Sequence, residues 1–252
     1  MADDPLAETR DFWNRVASDW RIQVGEDGDV NRRLNSDPVL WKFIGKVRGL
    51  RVLDAGCGTG YLTKKLHDSG AEVTGIDFSE KMIEAARNTN PALDFHVDSC
   101  SELRSIQDAS IELLVSNYVI MDTPDLSGTL SAFGRVLVSG GIAVLVFSHP
   151  CFPGARAYLQ EDGLTTTYRW PEPYFEPHRC IDPPWAHFKE EFIWFHRPLS
   201  EYWKAFSRAG FEVRDFDEPH ASPEVLHDFA DEAAARRSVS RPYSVAFKLR
   251  KG

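Results

Sequence analysis

The sequence predicts an α/β fold with one seven-stranded, mostly parallel sheet and helices on both faces. From Arg51 onward, short apolar runs alternate with segments of helical spacing, which is the rhythm of β-α-β units. Most of the apolar runs are nearly continuous, as expected for strands that helices cover on both faces. The length of 252 residues and the hydrophobic content of 42% fit one large globular domain, residues 1–252.

The chain before Arg51 predicts an N-terminal helical cap, residues 1–47. Apolar residues recur with helical spacing over residues 8–20, at Phe12, Trp13, Val16, Ala17 and Trp20. A polar stretch rich in Gly and Asp follows at residues 25–37, and a second helix is expected from Pro38 to Val47.

The sheet is expected to use seven runs, each short enough for a strand. These are Arg51–Ala55, Glu72–Asp77, Asp94–Val97, Ile111–Asn117, Ile142–Phe147, Phe211–Phe216 and Ser244–Arg250. The segments between them with helical character are Thr63–Ser69, Ser79–Asn88, Leu126–Leu137 and Ser200–Ala209. Gly210 follows the last of these helices, and glycine is the residue that most readily ends a helix.

Residues 150–197 interrupt the β-α rhythm after the fifth strand. This segment is rich in proline and aromatic residues and has no regular spacing. Most of its aromatic side chains are expected to form a small core that holds the segment on the sheet. We also expect it to serve as a lid, since aromatic groups over the mouth of a sheet exclude water from a bound ligand.

A glycine-rich turn after the first strand predicts a nucleoside site. The run from Val52 to Thr63 carries Asp54, Gly56, Gly58 and Gly60, in the pattern D-x-G-x-G-x-G. It is read as strand, turn and helix, a context in which glycines let backbone approach a ligand closely. The dinucleotide pattern G-x-G-x-x-G needs a glycine where this chain has Tyr61, and a Walker A ending is also missing.

This run resembles motif I of the class I S-adenosylmethionine-dependent methyltransferases, which have a Rossmann-like fold. The resemblance implies S-adenosylmethionine as the cofactor and S-adenosylhomocysteine as its product. It also implies that Asp54 and the three glycines, Gly56, Gly58 and Gly60, surround the methionine arm and ribose.

Acids and polar residues at later strand ends extend the predicted cofactor site. Asp77 ends the second strand, where its carboxylate can accept hydrogen bonds from two ribose hydroxyls or can cap the next helix. The resemblance places Phe78 beside the adenine. It also implies an adenine contact for Asp98, with Ser99 at the border of the ring, and a cap is the alternative for Asp98.

The fourth strand ends at Asn117 and Tyr118, at the edge of an open sheet where ligands bind. We expect both residues to flank the sulfonium and its methyl group. In the resembling family the N-terminal helix folds over the cofactor, which implies that Trp20 is a wall of its site. The chain lacks the Asp/Asn-Pro-Pro-Tyr sequence seen here in many methyltransferases of nucleic-acid bases and glutamine side chains.

The resemblance covers roughly residues 10–150 and 195–250. Within these ranges Phe133–Gly141, Phe195–Tyr202 and Ala209–Phe211 resemble the bacterial small-molecule branch, which includes the ubiquinone and menaquinone ring methyltransferases. The resemblance implies methyl transfer to a small molecule, and the substrate-selecting segment, 150–194, lies outside it.

His149 is the candidate catalytic residue. It follows the fifth strand at the same edge of the sheet, and an imidazole there can accept a proton from an attacking O–H or N–H group. The alternative is a hydrogen bond from His149 to a loop carbonyl. The candidate substrate contacts are aromatic: Trp13, Trp170, Tyr174 and Trp185.

Stacking on such side chains suits a planar aromatic or heteroaromatic acceptor, such as an azapteridine-type nitrogen. These side chains would also suit a cation, with carboxylates expected nearby in that case. Methylation of either a nitrogen or an oxygen is compatible with the residues.

Composition argues against several other classes. The net charge of −9 disfavours nucleic acid as a partner, and no apolar run approaches the length of a membrane span. The four cysteines match no metal-binding spacing, and without a secretory signal we expect free thiols and a cytoplasmic protein with no metal. The alternatives are a nucleic-acid or protein methyltransferase, an NAD-dependent oxidoreductase, and a cofactor-binding module without catalysis.

Overall fold

The computed structural model describes residues 4–152, 157–163, 165–222, 239 and 241–252. In chain order its strands are β1 Arg51–Ala55, β2 Glu72–Asp77, β3 Asp94–Val97, β4 Ile111–Asn117, β5 Leu137–Ser148, β6 Ala157–Leu159, β7 Thr166–Tyr168, β8 His178–Asp182, β9 Phe192–His196, β10 Phe211–Asp217 and β11 Ser244–Lys251. The helices are α1 Pro5–Val24, α2 Asp37–Ile44, α3 Tyr61–Asp68, α4 Glu80–Thr89, α5 Leu126–Val136 and α6 Leu199–Arg208, with a π-helical turn at Arg32–Ser36.

Seven strands of the described chain form one sheet in the order β10-β11-β5-β4-β1-β2-β3. The five strands from β5 to β3 in this order run parallel, whereas β11 is antiparallel to both of its neighbours. The chain leaves β1 toward β2 and β3, then crosses back to β4 on the other side. Such a reversal opens a crevice at the carboxyl ends of β1 and β4, where open α/β sheets bind ligands.

Two hydrophobic clusters cover the two faces of the sheet. On β4, Leu114 packs into the cluster that holds α5 and α6, whereas Leu113 and Val115 pack into the cluster that holds α2 and α3. Successive side chains of a strand point to opposite faces, so a strand buried on both sides needs an apolar residue at nearly every position. This explains the continuous apolar runs in the sequence.

Local signals set the starts of the helices. The carboxylate of Asp4 accepts a hydrogen bond from the Leu6 N–H at 3.0 Å, and Pro5 occupies the first position of α1. The hydroxyl of Ser79 accepts from the Met82 N–H at 3.1 Å and caps α4. Both helices therefore begin where a capping side chain satisfies a backbone donor.

The insertion after β5 contains two short hairpins, β6–β7 and β8–β9. It packs on α1, where Phe12 and Val16 meet Phe188 and Ile193 in a separate apolar cluster. The ion pair between Arg15 and Glu190, at 3.0 Å, joins the same two regions. The sequence predicted a segment without regular structure, and the hairpins correct that expectation.

None of the helices in the described ranges combines the length and apolarity needed to cross a bilayer.

Candidate active site

Two adjoining cavities open at the carboxyl ends of the parallel strands. The inner cavity, of about 220 Å³, is lined by the glycine-rich turn and the ends of β1, β2 and β4. The outer cavity, of about 570 Å³, lies between α1, the end of β5 and the insertion. The two cavities share five lining residues, namely Trp13, Trp20, Arg32, Tyr118 and Asp122. A ligand in one cavity therefore faces a ligand in the other.

The glycine-rich turn brings backbone to the surface of the inner cavity. Gly56 has φ +81°, and an added Cβ would lie 2.3 Å from Cγ2 of Val119, so no side chain fits there. A Cβ on Gly58 would meet nothing nearer than Nε1 of Trp20, at 3.7 Å. The space over Gly58 is therefore open toward the cavity.

Two buried carboxyl groups face the inner cavity. The hydroxyl of Thr63 donates to Asp54 at 2.6 Å, and the backbone N–H groups of Gly58 and Ser79 donate to Asp77 at 3.0 and 2.9 Å. Burial raises the pKa of Asp54 to about 7 and that of Asp77 to about 6, although these hydrogen bonds favour ionisation. Both predicted residues line the cavity.

At the far end of the inner cavity, the structure separates residues that the sequence grouped together. Phe78 and Ser99 line the cavity, but Asp98 does not. The carboxylate of Asp98 accepts instead from the Ser99 N–H at 2.8 Å and from the backbone and hydroxyl of Ser105. The turn-capping alternative therefore describes Asp98.

Gly60 also lies away from the cavity, contrary to its predicted cofactor contact. It precedes α3 with φ +87°, and a Cβ there would lie 2.9 Å from Cζ of Phe95 and 3.2 Å from Cβ of Ala86. Gly60 thus allows α3 and the turn to pack closely against β3 and α4.

Asn117 is held in a fixed orientation by a buried network. Its side-chain N–H₂ donates to the hydroxyl of Tyr61 at 3.0 Å, and that hydroxyl donates to Asp37 at 2.9 Å. The side-chain oxygen of Asn117 is buried and has no hydrogen-bond partner among the described residues. A buried acceptor left in this state is available to a ligand.

Tyr118 has φ +59°, a conformation that a bulky residue rarely adopts. Its hydroxyl accepts a hydrogen bond from Asn31 at 2.7 Å and makes a short hydrogen bond with Ser244. These contacts hold the ring in the wall between the two cavities. Residues with a strained backbone are often found at ligand sites.

Arg32 lines both cavities and was not among the predicted residues. Its guanidinium pairs with Asp29 at 2.9 Å and lies over the rings of Trp20, Tyr61 and Tyr118. The Nε–H is buried and has no partner among the described residues. The sequence offers little indication that Arg32 is buried, because its only local sign is an acidic residue, Asp29, three positions earlier.

The outer cavity has aromatic walls. On α1, the rings of Trp13 and Trp20 meet edge to face at 5.0 Å. The insertion contributes Trp185, Phe192 and Trp194. The predicted contacts Trp13 and Trp185 therefore line this cavity.

The other two predicted substrate residues do not line it. Trp170 and Tyr174 pack against each other at 5.5 Å, and both contact the ring of His196. The hydroxyl of Tyr174 accepts from the Leu199 N–H at 3.0 Å, at the start of α6. These two partly buried side chains therefore pack within the insertion and against the start of α6.

His149 lines the outer cavity, but both of its ring nitrogens have partners. Nδ1 accepts from the Cys151 N–H at 3.1 Å, and Nε2 lies 2.6 Å from the carboxylate of Glu218. Burial lowers the pKa of His149, and the nearby Glu218 opposes that shift. The neutral ring thus donates from Nε2, which leaves no nitrogen free to take a proton from a substrate.

The loop after β4 places a carboxylate at the junction of the two cavities. Asp122 lines both of them, and burial with the neighbouring Asp182 raises its pKa well above the usual range. The guanidinium of Arg197 donates to the carbonyls of Thr123 and Pro124 at 2.6 and 2.9 Å. The position of Asp122 just beyond β4, at the same sheet edge as Asn117, is the feature of the sequence that could have indicated a place in the site.

Comparisons with known proteins agree with this geometry. A model described as a methyltransferase domain matches residues 53–145. A demethylmenaquinone methyltransferase of Tropheryma whipplei (strain Twist) is 32% identical over 174 residues, which cover 61% of this chain and 66% of the relative. The chain spans less than two thirds of the length of the curated relatives it matches most strongly.

Solved structures show the same fold. An S-adenosylmethionine-dependent methyltransferase from Mesorhizobium loti has a TM-score of 0.72 at 23% identity, over 90% of this chain and all of that one. A magnesium protoporphyrin IX methyltransferase from Synechocystis PCC 6803, solved with bound S-adenosylmethionine, has a TM-score of 0.61 at 20% identity, over 100% and 99% of the two chains. The predicted fold is confirmed, and these similarities agree with the family resemblance and with the cofactor that it implies.

Proposed function

We propose that this chain is a class I S-adenosylmethionine-dependent methyltransferase that transfers a methyl group to a small, planar aromatic or heteroaromatic molecule. One observation carries the proposal: a cofactor-type cavity and an aromatic cavity meet along a wall of five shared residues. Direct transfer needs nucleophile, methyl carbon and sulfur in line, and adjoining cavities allow that alignment.

The inner cavity fits S-adenosylmethionine in charge and in its unpaired polar atoms. The cofactor is cationic at sulfur, and its amino-acid end carries a carboxylate and an ammonium group. Four carboxyl groups and one guanidinium line this cavity among the described residues, which favours a cation. We expect Arg32 Nε–H to hold the carboxylate and the side-chain oxygen of Asn117 to accept from the ammonium.

The ribose is expected at Asp77. Its carboxylate is aligned by two backbone N–H groups and faces the cavity, so its remaining lone pairs can accept from adjacent hydroxyls. Phe78 and Ser99, which line the cavity beyond it, would border the adenine.

When bound, the cofactor supplies an activated methyl group on a sulfonium. Transfer of that methyl group leaves a neutral thioether. The residues of the chain position the partners and exclude water. Trp13 and Trp20, on α1, line one side of the junction between the two cavities. Tyr118, which follows β4 and is held by Asn31, lines another side. Such positioning contributes several kcal/mol, on the order of 7–11 in well-oriented systems.

The acceptor class follows from the walls of the outer cavity. Its tryptophan and phenylalanine faces suit stacking on a flat ring, and about 570 Å³ holds a small molecule. The Tropheryma relative is named for a menaquinone precursor, and we carry over only the ring character of such an acceptor. An azapteridine-type nitrogen and a phenolic oxygen are both candidates.

Two alternatives remain. Methylation of a nucleic acid or protein is disfavoured by the net charge of −9 and by the enclosed aromatic walls. A cofactor-binding module without catalysis would keep the inner cavity, and turnover is what separates it from an enzyme. The cytoplasmic location, the single-domain organisation and the limits of the cap and lid stay predictions.

The first experiment is a calorimetric titration with S-adenosylhomocysteine, using wild type and Asp77→Ala, with NADH as the control ligand. We expect saturable binding that weakens about 100-fold or more on loss of the carboxylate, because two charge-assisted hydrogen bonds disappear. A screen of phenols and nitrogen heterocycles with S-adenosylmethionine then measures S-adenosylhomocysteine formation. Binding of NADH instead, or binding indifferent to Asp77, would refute the assignment.

A further inference from the structure

The carboxylate of Asp122 stands at the one place where both proposed ligands meet. It lines the inner and the outer cavity, and no hydrogen bond reaches it from the described residues. The residue is only partly exposed, and a carboxylate without a hydrogen-bond partner that faces two cavities indicates a ligand-directed role.

The position of this carboxylate is rigid. Arg197 donates to carbonyls on both sides of it in the chain, at Ile120 and at Thr123 and Pro124. The N–H of Asp122 itself donates to the Val119 carbonyl at 2.8 Å. The loop therefore holds Asp122 in place before any ligand arrives, as preorganised sites require.

The charges around Asp122 favour a proton on it in the absence of a ligand. Asp182, at the end of β8, raises its pKa by repulsion, and burial acts in the same direction. The cations that line the outer cavity have other partners or are exposed: Arg197 bonds loop carbonyls, Arg32 pairs with Asp29, and Arg33 is exposed. The remaining titratable groups lining either cavity are Asp54, Asp77, Asp125, Cys57, Cys100, Tyr61, Tyr118, His149 and Tyr202.

On the premise of the proposed function, we propose that Asp122 accepts the proton that the methyl acceptor loses. The acceptor then carries an O–H or N–H on the atom that is methylated. As the bond from that atom to the methyl carbon forms, the carbon–sulfur bond breaks and its electron pair stays on sulfur. The proton passes to the Asp122 carboxylate and leaves to solvent with the product.

The charge of the bound sulfonium sets the direction of this transfer. A cation in the inner cavity favours ionised Asp122, so the carboxylate is ready to accept a proton when S-adenosylmethionine is present. After transfer the sulfur is neutral, that support is lost, and Asp122 holds the proton more strongly. His149, with both ring nitrogens occupied, cannot serve in this way.

Calorimetry in buffers of different ionisation enthalpy tests the proposal without an acceptor. S-adenosylmethionine and S-adenosylhomocysteine share their ribose and adenine, so the proton release caused by binding those groups cancels between them, and the Asp122 variant identifies the residue that responds to the sulfonium charge. We expect S-adenosylmethionine to release up to about one proton more than S-adenosylhomocysteine near pH 7. The difference should vanish in Asp122→Asn, which is nearly isosteric, and persist in Asp68→Asn.

Asp68 is the control because it is an exposed carboxyl at the end of α3 that lines neither cavity. Wild type alone provides a second test. Its affinity for S-adenosylmethionine should fall up to about tenfold per pH unit as pH decreases below the pKa of Asp122 in the ligand-free protein. Its affinity for S-adenosylhomocysteine should change with pH only through the groups that affect both ligands.

The possible failures are distinguishable. If both ligands bind with equal proton release, or if Asp122→Asn keeps the difference, Asp122 is not the proton acceptor although the proposed function stands. If neither ligand binds, the proposed function itself is refuted. With an acceptor from the screen, Asp122→Asn should lose about 100-fold or more in kcat, together with the acidic limb of the pH profile.

Discussion

The inner and the outer cavity are built in different ways. A large part of the inner cavity's lining lies at the ends of three strands: residues 54 and 56–59 at β1, 77–78 at β2 and 117–119 at β4. The outer cavity combines α1, the segment before α2, the end of β5 and the β8–β9 hairpin, which are far apart in the sequence. One site therefore depends on local backbone geometry, and the other on how distant segments pack together.

The largest effect is expected from Gly56→Ala, which attacks the backbone geometry of the inner cavity. The new Cβ would clash with Val119 in a turn of positive φ, and we expect the free energy of unfolding to fall by about 2–5 kcal/mol. Binding of S-adenosylhomocysteine should be lost as well. Urea unfolding and calorimetry measure the two effects.

Gly58→Ala is the matched control. It also has positive φ, but its Cβ would have no close neighbour, so only the conformational cost of about 1–2 kcal/mol applies. Equal losses of stability in the two variants would show that close approach to Val119 is unimportant.

The second prediction concerns the pH dependence of stability and Asp54. Because the folded pKa is raised to about 7 from 3.8, the folded state binds this proton more tightly than the unfolded state. The contribution of Asp54 to the free energy of unfolding is fully present below about pH 4 and is lost as pH rises through 7. Asp54→Asn should remove that decline, worth up to about 4 kcal/mol, from a series of urea unfolding curves at different pH.

Asp77, with its pKa raised to about 6, acts in the same direction and will leave a smaller decline in that variant. Asp68→Asn is the control, because Asp68 is exposed and its pKa is lowered by Lys64. Parallel stability curves for wild type and Asp54→Asn would contradict the assignment.

The third prediction separates packing from ligand contact within the insertion. Trp170 packs on Tyr174 and His196 and does not line the outer cavity. We expect Trp170→Ala to lower the free energy of unfolding by about 1–3 kcal/mol, since the residue is only partly buried, with the acceptor KM unchanged. An altered KM at full stability would give Trp170 a substrate role after all.

The smallest effect on stability is expected at Trp185, which lines the outer cavity and is 42% exposed. Trp185→Ala should change the free energy of unfolding by no more than about 0.5 kcal/mol. The acceptor KM should rise by up to about tenfold, through the loss of one stacking face. Steady-state kinetics with an acceptor from the screen measures this, and an unchanged KM would argue against stacking there.

The sheet was largely predictable from the sequence. The bounds of β1 to β4 agree with the predicted strands residue for residue, since continuous apolar runs between turn residues leave little choice. The fifth strand is longer than predicted, because it begins at Leu137 and passes through Gly140 and Gly141 before the predicted start at Ile142. The helices differ by a few residues at their ends.

Most of the predicted cofactor residues line the inner cavity, but two of them do not. Asp54, Gly56, Gly58 and Asp77 line the inner cavity, whereas Gly60 and Asp98 serve packing and a turn. A motif specifies the path of the chain, but it does not distinguish a carboxylate facing a ligand from one that caps a turn.

The sequence by itself determined the sheet and the glycine-rich turn, because each depends on residues within one or two neighbouring elements. Only the tertiary structure decided the acceptor side. It brought Arg32 and Asp122 to the junction, occupied both nitrogens of His149, and directed Trp185 to the cavity but Trp170 to packing within the insertion. The physical reason is that a side chain's role there depends on long-range packing partners that no local pattern records.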